Sequence, residues 1–103
     1  MKMKYNKLVR DKIPDIIKKD NHNPIIHIAS DKEYWEKLKE KLKEETDEFI
    51  KENTEGEFAD ILEVMHAISD FKHFNKEKIN RIRDKKAKER GRFKDKIILE
   101  KID

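Results

Sequence analysis

Between residues 31 and 71 the apolar side chains recur at helical spacing in two successive runs, which constrains the fold of this 103-residue chain more than any other feature. At about 100° per residue, Tyr34, Trp35, Leu38, Leu42 and Phe49 fall within an arc roughly 100° wide. In the second run Phe58, Ile61, Leu62, Val64, Met65, Ile68 and Phe71 share one broad face of about 180°. Two amphipathic helices must therefore bury these stripes against something. The patterning is decisive because 48% charged and 35% hydrophobic residues otherwise approach the composition of a disordered chain. Two glycines and two prolines, with abundant Lys, Glu, Ile and Leu, favour helices joined by short connections. The expected fold is mostly α, an antiparallel helical bundle forming a single domain over residues 1–103. So little apolar material leaves a monomer with a thin core, and a homodimer or larger homo-oligomer is expected.

Local signals divide the chain further. Ser30 and Glu33 form a capping box that opens a helix over Asp31 to Glu52. "NTEG" breaks the chain, a second helix runs from about Glu57 to His73, and Asn75 caps a third that ends near Gly91. Upstream, "YNKLVRDKIPDIIKKDNHN" begins extended, then forms a short helix with Pro14 in its first turn that stops near "DNHNP". "PIIHIAS" reads as a brief strand, with "KIILEKI" of similar composition as its partner. No internal repeat or linker interrupts the pattern.

The net charge of +3, from 26 basic and 23 acidic residues, is far weaker than the positive field of a dedicated nucleic-acid binder. The basic run "RIRDKKAKERGRFKDK" lacks interleaved aromatic residues and reads as a solvated helix face. Cysteine is absent, which removes disulfides, thiolate ligands and a cysteine nucleophile. The start has no apolar run suited to a signal peptide and no later segment could span a bilayer, so a cytoplasmic, membrane-free protein is expected. The four histidines share no helical spacing, which argues against zinc. Trp35 could stack on a base, but its phase favours core packing.

The acids in "EETDEFIKENTEGEFAD" are not distributed as a solvated face would be. Glu45 falls inside the first apolar arc, and Glu48 lies at its margin, about 60° away. Glu57 falls within the second face and Asp60 sits at its edge, whereas Glu63, His66 and Asp70 cluster on the opposite side. The short "ENTEG" connection should make the helices antiparallel neighbours, so four carboxylates converge. Such charges are unfavourable in a partly dry site unless a cation neutralises them or some take up protons. Mg²⁺ suits all-oxygen ligands and retains water and phosphate oxygens; Mn²⁺ can substitute. Acidic i,i+3 pairs are also common on charged helices, so the competing reading is a helical interaction protein with structural acids.

"EETDE" followed by "EFAD" resembles the E-E-x-x-E and E-x-x-D motifs of the MazG-like all-α nucleoside triphosphate pyrophosphohydrolases. "YNKLVRDKIPDII" and "KKAKERGRFKDKIILE" resemble the ends of a phosphoribosyl-ATP pyrophosphohydrolase-like subgroup, so the resemblance covers nearly the whole chain. It implies helical subunits assembled as dimers or larger oligomers, and Mg²⁺-dependent cleavage of a nucleotide between its α and β phosphates. The products would be a monophosphate and pyrophosphate. The metal ligands implied are Glu45, Glu48, Glu57 and Asp60, the four acids picked out by helical phase. Glu44 matches the first motif Glu but lies nearer the polar side, and joins Glu45 and Glu48 as a candidate catalytic group that orients water or supports a ligand. The metal would polarise phosphate and activate water, with a carboxylate accepting the proton; which carboxylate is left open. Among the cations Lys7, Arg10, Lys12, Lys86, Arg90 and Arg92, the resemblance favours Arg10, Lys12, Lys86 and Arg90 as phosphate contacts. Two departures stand out: the interval from Glu48 to Glu57 is shorter than in many such proteins, and Arg92 replaces a second glycine. A catalytically idle nucleotide- or metal-binding helical module is the other alternative.

Overall fold

A computed structural model describes residues 6–103; the part of the expected extended opening that falls on residues 1–5 lies outside them. The elements are α1 (Ile13–Lys19), α2 (Asp31–Glu52), α3 (Glu55–Phe71) and α4 (Lys76–Arg90), with no strand among the described residues. The fold is therefore mostly α. The chain divides into two units, one ending at Lys72 and the other running His73–Asp103.

In the first unit, α2 begins where the capping pattern places it, with Ser30 Oγ accepting the Glu33 N–H at 3.2 Å. It stops at Asn53, which takes the left-handed conformation (φ 58°) that asparagine tolerates better than most residues. Thr54 returns to extended backbone, and its Oγ1 accepts the Glu57 N–H at 3.2 Å. The joint is thus two residues long, and α3 starts two residues before Glu57 because Thr54 supplies a cap. At its other end α3 stops at Phe71 rather than His73, whose φ of 58° has already left the helix. Pro14 occupies the first turn of α1, as expected, and Asn21 (φ 61°) follows its end.

The aromatic contacts give the direction of packing. Near the start of α2, Tyr34 meets Phe71 edge-on at 5.2 Å and Trp35 lies nearly parallel to the same ring at 6.1 Å. Near its end Phe49 meets Phe58, from the start of α3, at 5.6 Å. The two helices form an antiparallel hairpin. Leu38, 1% exposed, and Val64, 8% exposed, are its buried centre; burying such a side chain stabilises by about 1.5–3 kcal/mol. Trp35 packs in the hairpin, with Lys72 Nζ 3.9 Å from its ring centre. The broad face of α3 is covered on one side only: Ile61 and Ile68 are half-buried, while Phe58, Leu62 and Met65 remain exposed. One helix with a narrow apolar arc cannot cover the whole of a wider one.

The expected β pairing does not form. Residues 24–30 and 97–102 belong to no helix and carry no ladder, and Ile25, Ile28, Ile97 and Ile98 are all more than four-fifths exposed at 89%, 89%, 82% and 82%. Apolar, β-branched composition favours extended backbone, but strand formation also needs a neighbour for the backbone hydrogen bonds.

In the second unit, Asn75 Oδ1 accepts the Lys78 N–H at 3.0 Å and opens α4. The helix ends at Gly91, whose φ of 81° suits a residue without Cβ and whose N–H donates to Ala87 O at 2.8 Å. A turn follows, with the Lys96 N–H donating to Phe93 O at 3.2 Å. No helix among the described residues is long and apolar enough to cross a membrane.

Candidate metal centre

The two-residue joint at Asn53–Thr54 brings the last turns of α2 against the first turns of α3. Glu45 comes from α2, while Glu57 and Asp60 lie one turn apart at the start of α3. Glu45, Glu57 and Asp60 each offer one carboxylate oxygen to a set whose members all lie within 4.8 Å of one another. All three residues are half-buried, and the Glu45 side chain is only 14% exposed. The convergence expected from helical phase is therefore present for three of the four acids. Glu48 is exposed on the next turn of α2 and stands outside this set. Its charge nevertheless reaches the centre: the Glu57 carboxyl is pushed up from its ordinary value by burial, then by the negative charges of Asp60, Glu48, Glu45 and Glu52.

Cations surround the acids unevenly. Arg10 donates from a guanidinium nitrogen to Asp60 Oδ1 at 3.0 Å, linking the segment before α1 to α3. Lys41 Nζ lies 3.6 Å from Glu45 Oε1 and 3.7 Å from Glu44 Oε2, while Lys7 Nζ lies 3.4 Å from Glu44 Oε1. Glu44 is thus held between two lysines at the edge of the centre, away from the three-oxygen set. These pairs are partly exposed and contribute little to stability individually. Lys12 is the exposed residue preceding α1 and makes no ion pair among the described residues. Lys86 and Arg90 are exposed on α4 in the second unit.

Three carboxylates with no histidine or cysteine among them are hard oxygen donors, the chemistry that suits Mg²⁺ or Mn²⁺ rather than zinc. On an octahedron with bonds of about 2.1 Å, neighbouring oxygens lie about 3.0 Å apart and opposite ones about 4.2 Å. Side-chain rotations of the half-buried carboxylates would bring oxygens within 4.8 Å into that range. The donor set therefore fits such an ion.

Lys41 was not among the cations singled out in the sequence, although its i,i+3 and i,i+4 spacing to Glu44 and Glu45 was visible. Beside Glu44 and Glu48 opens a cleft of about 620 Å³ whose walls also carry Glu40 and Asp47 and, against these acids, Lys7, Lys37, Lys41 and Lys43. Lys37 and Lys43 carried no signal of their own, because most of the helix's lysines look alike in a single sequence. A separate groove of about 360 Å³ lies at the corner of the hairpin, lined by Phe49, Asn53, Phe58 and Leu62.

No family model matches the chain, and no solved structure gives a significant match. Over 41 residues the chain is 49% identical to a protein of Mycolicibacterium smegmatis described as uncharacterized, a stretch covering 40% of this chain. The match spans 42% of that relative's length, and that protein's description carries no activity. The function is accordingly argued from the acidic centre and its surroundings.

Proposed function

We propose that this protein is a Mg²⁺-dependent nucleotide pyrophosphohydrolase, cleaving a nucleoside triphosphate or related nucleotide to the monophosphate and pyrophosphate. The observation that carries the reading is the convergence of Glu45, Glu57 and Asp60 within 4.8 Å, from the segments that resemble the E-E-x-x-E and E-x-x-D motifs of MazG-like enzymes. Mg²⁺, or Mn²⁺ in its place, supplies charge neutralisation and polarisation of phosphate oxygens when bound.

The chain's own residues divide the remaining work. Glu45, Glu57 and Asp60 hold the cation. Arg10, already seated on Asp60, is within reach of a phosphate and exchanges part of its carboxylate contact for one. Lys7, Lys37 and Lys41 line the adjacent cleft and offset triphosphate charge. Glu48, exposed beside the centre and outside the ligand set, takes the proton from the attacking water. Glu44, held by Lys7 and Lys41, orients that water. Water oxygen bonds to the α phosphorus, the bridge to the β phosphorus breaks, and pyrophosphate leaves with the bridging oxygen. The exposed Phe58, Leu62 and Met65 on α3 favour burial against another copy, so the working form is a homodimer or larger assembly in the cytoplasm.

A panel of nucleotides assayed for pyrophosphate with Mg²⁺ and with chelator tests this reading. Pyrophosphate release that requires the metal and is lost in Glu48→Gln is the expected result. Tight nucleotide binding without turnover would instead identify a binding module.

A further inference from the structure

Residues 97–103 lie in no helix or strand, make no backbone hydrogen bond among the described residues, and expose Ile97, Ile98, Leu99 and Ile102. An unpaired backbone lined with apolar side chains is a template for another strand. The sequence around it, "DKIILEK" at 95–101, has a property that selects the partner. Reversed and laid antiparallel on itself about Ile98, it places Asp95 opposite Lys101, Lys96 opposite Glu100, Ile97 opposite Leu99 and Ile98 opposite Ile98. Every charge meets its opposite and every apolar residue meets another.

We propose that residues 95–101 pair with the same residues of a second copy of this chain, as a two-fold antiparallel β-ribbon centred on Ile98. Neighbouring registers are worse. A shift by one residue sets Lys96 against Lys101 in one direction, and Asp95 against Glu100 in the other. Parallel pairing in register aligns like charges along the ribbon. Opposite charges and apolar pairs directly across an antiparallel ladder are the stabilising arrangement, and like charges there are destabilising. The two-fold relation makes each Lys96–Glu100 and Asp95–Lys101 pair occur twice, as an isologous contact requires. The segment also has little to give up on pairing. Lys96 sits at φ 59°, a conformation disfavoured for lysine, and holds a single turn hydrogen bond to Phe93 O at 3.2 Å. Extending through it exchanges that bond for ladder bonds and relieves the left-handed backbone. The other exposed apolar segment, residues 24–30, contains neither an acid nor a lysine to match Lys96 and Glu100.

The full chain has no cysteine, so a single introduced thiol reports the contact. Directly opposed residues of an antiparallel pair lie about 4.5–5.5 Å apart at Cα, inside the disulfide range. Under mild oxidation Ile98→Cys should form a covalent dimer at least about tenfold faster than Ile102→Cys, whose thiols are offset by eight residues or about 26 Å. Lys96→Glu should slow cross-linking at position 98 about fivefold, and Lys96→Glu with Glu100→Lys should restore it. Equal cross-linking at positions 98 and 102, or cross-linking at 98 indifferent to Lys96→Glu, overturns the proposal. So does faster cross-linking between Ile26→Cys and Ile98→Cys chains than between Ile98→Cys chains, which would assign the strand to residues 24–30.

Discussion

Glu57→Gln keeps the shape of the side chain and removes one of three charges that converge within 4.8 Å, so its effect on stability should reverse when a divalent cation is added. Without cation, the folded chain holds the Glu57 proton to higher pH than the ordinary value of 4.5, through burial and the neighbouring acids. Between that value and the raised one the folded state binds more protons than the unfolded state. Stability therefore falls as pH rises through this window, and above it the ionised carboxylate is a net cost. The variant should melt higher than the wild type at neutral pH in chelator. With cation at a hundred times its dissociation constant, the wild type gains about 2.7 kcal/mol. That corresponds to a rise of about 11–22 °C in a domain of this size. Loss of a ligand should weaken binding at least as much as loss of an outer partner, about 10–100-fold. At the same cation concentration the variant's rise then shrinks to about 2–11 °C. Thermal melts over a Mg²⁺ or Mn²⁺ titration at constant ionic strength measure both effects. Equal shifts in the two proteins, or no shift in either, would refute the assignment of the centre.

Further consequences are independent of that experiment. Divalent-cation affinity should rise with pH across the raised titration of Glu57, since protons compete for the same oxygens; calorimetry showing a flat profile would contradict this. Arg10→Ala removes a partly exposed pair 3.0 Å from Asp60 and should change stability by under about 1 kcal/mol. The same variant should bind cation more tightly and show a raised nucleotide KM, and weaker cation binding would tell against the role of Arg10. Leu38→Ala, at a side chain 1% exposed, should lower unfolding free energy by about 2–5 kcal/mol in urea titration. Asn53→Gly should be tolerated at φ 58°, whereas Asn53→Val should cost about 1–2 kcal/mol, and equal melting of the two would mean the left-handed joint is not maintained.

Much of the hairpin was legible because each of its signals is local. Ser30 with Glu33, the apolar spacing from Tyr34 to Phe49, and Asn75 before α4 act over one or two helical turns, and the structure places all of them as expected. Thr54 was legible too, as the first residue of a T-x-x-E pattern that begins inside the "NTEG" break. The paired acids were found by phase alone, since 3.6 residues per turn fixes which side of a helix Glu45 or Glu57 occupies. What phase cannot state is reach: Glu45, Glu57 and Asp60 meet while Glu48 stays exposed beside them.

By itself, then, the sequence determined the helices, their caps and the sides on which the acids lie, because hydrogen-bond periodicity and backbone preference are properties of neighbouring residues. Tertiary structure alone decided which groups share space. It joined Arg10 to Asp60 across 50 positions of chain, put Lys7 beside Glu44, and left Phe58, Leu62 and Met65 uncovered. It also left residues 24–30 and 97–102 without the strand partners their composition invited. Helices satisfy their backbone within one segment, whereas ion pairs, buried faces and strands each require a partner that only folding or association can supply.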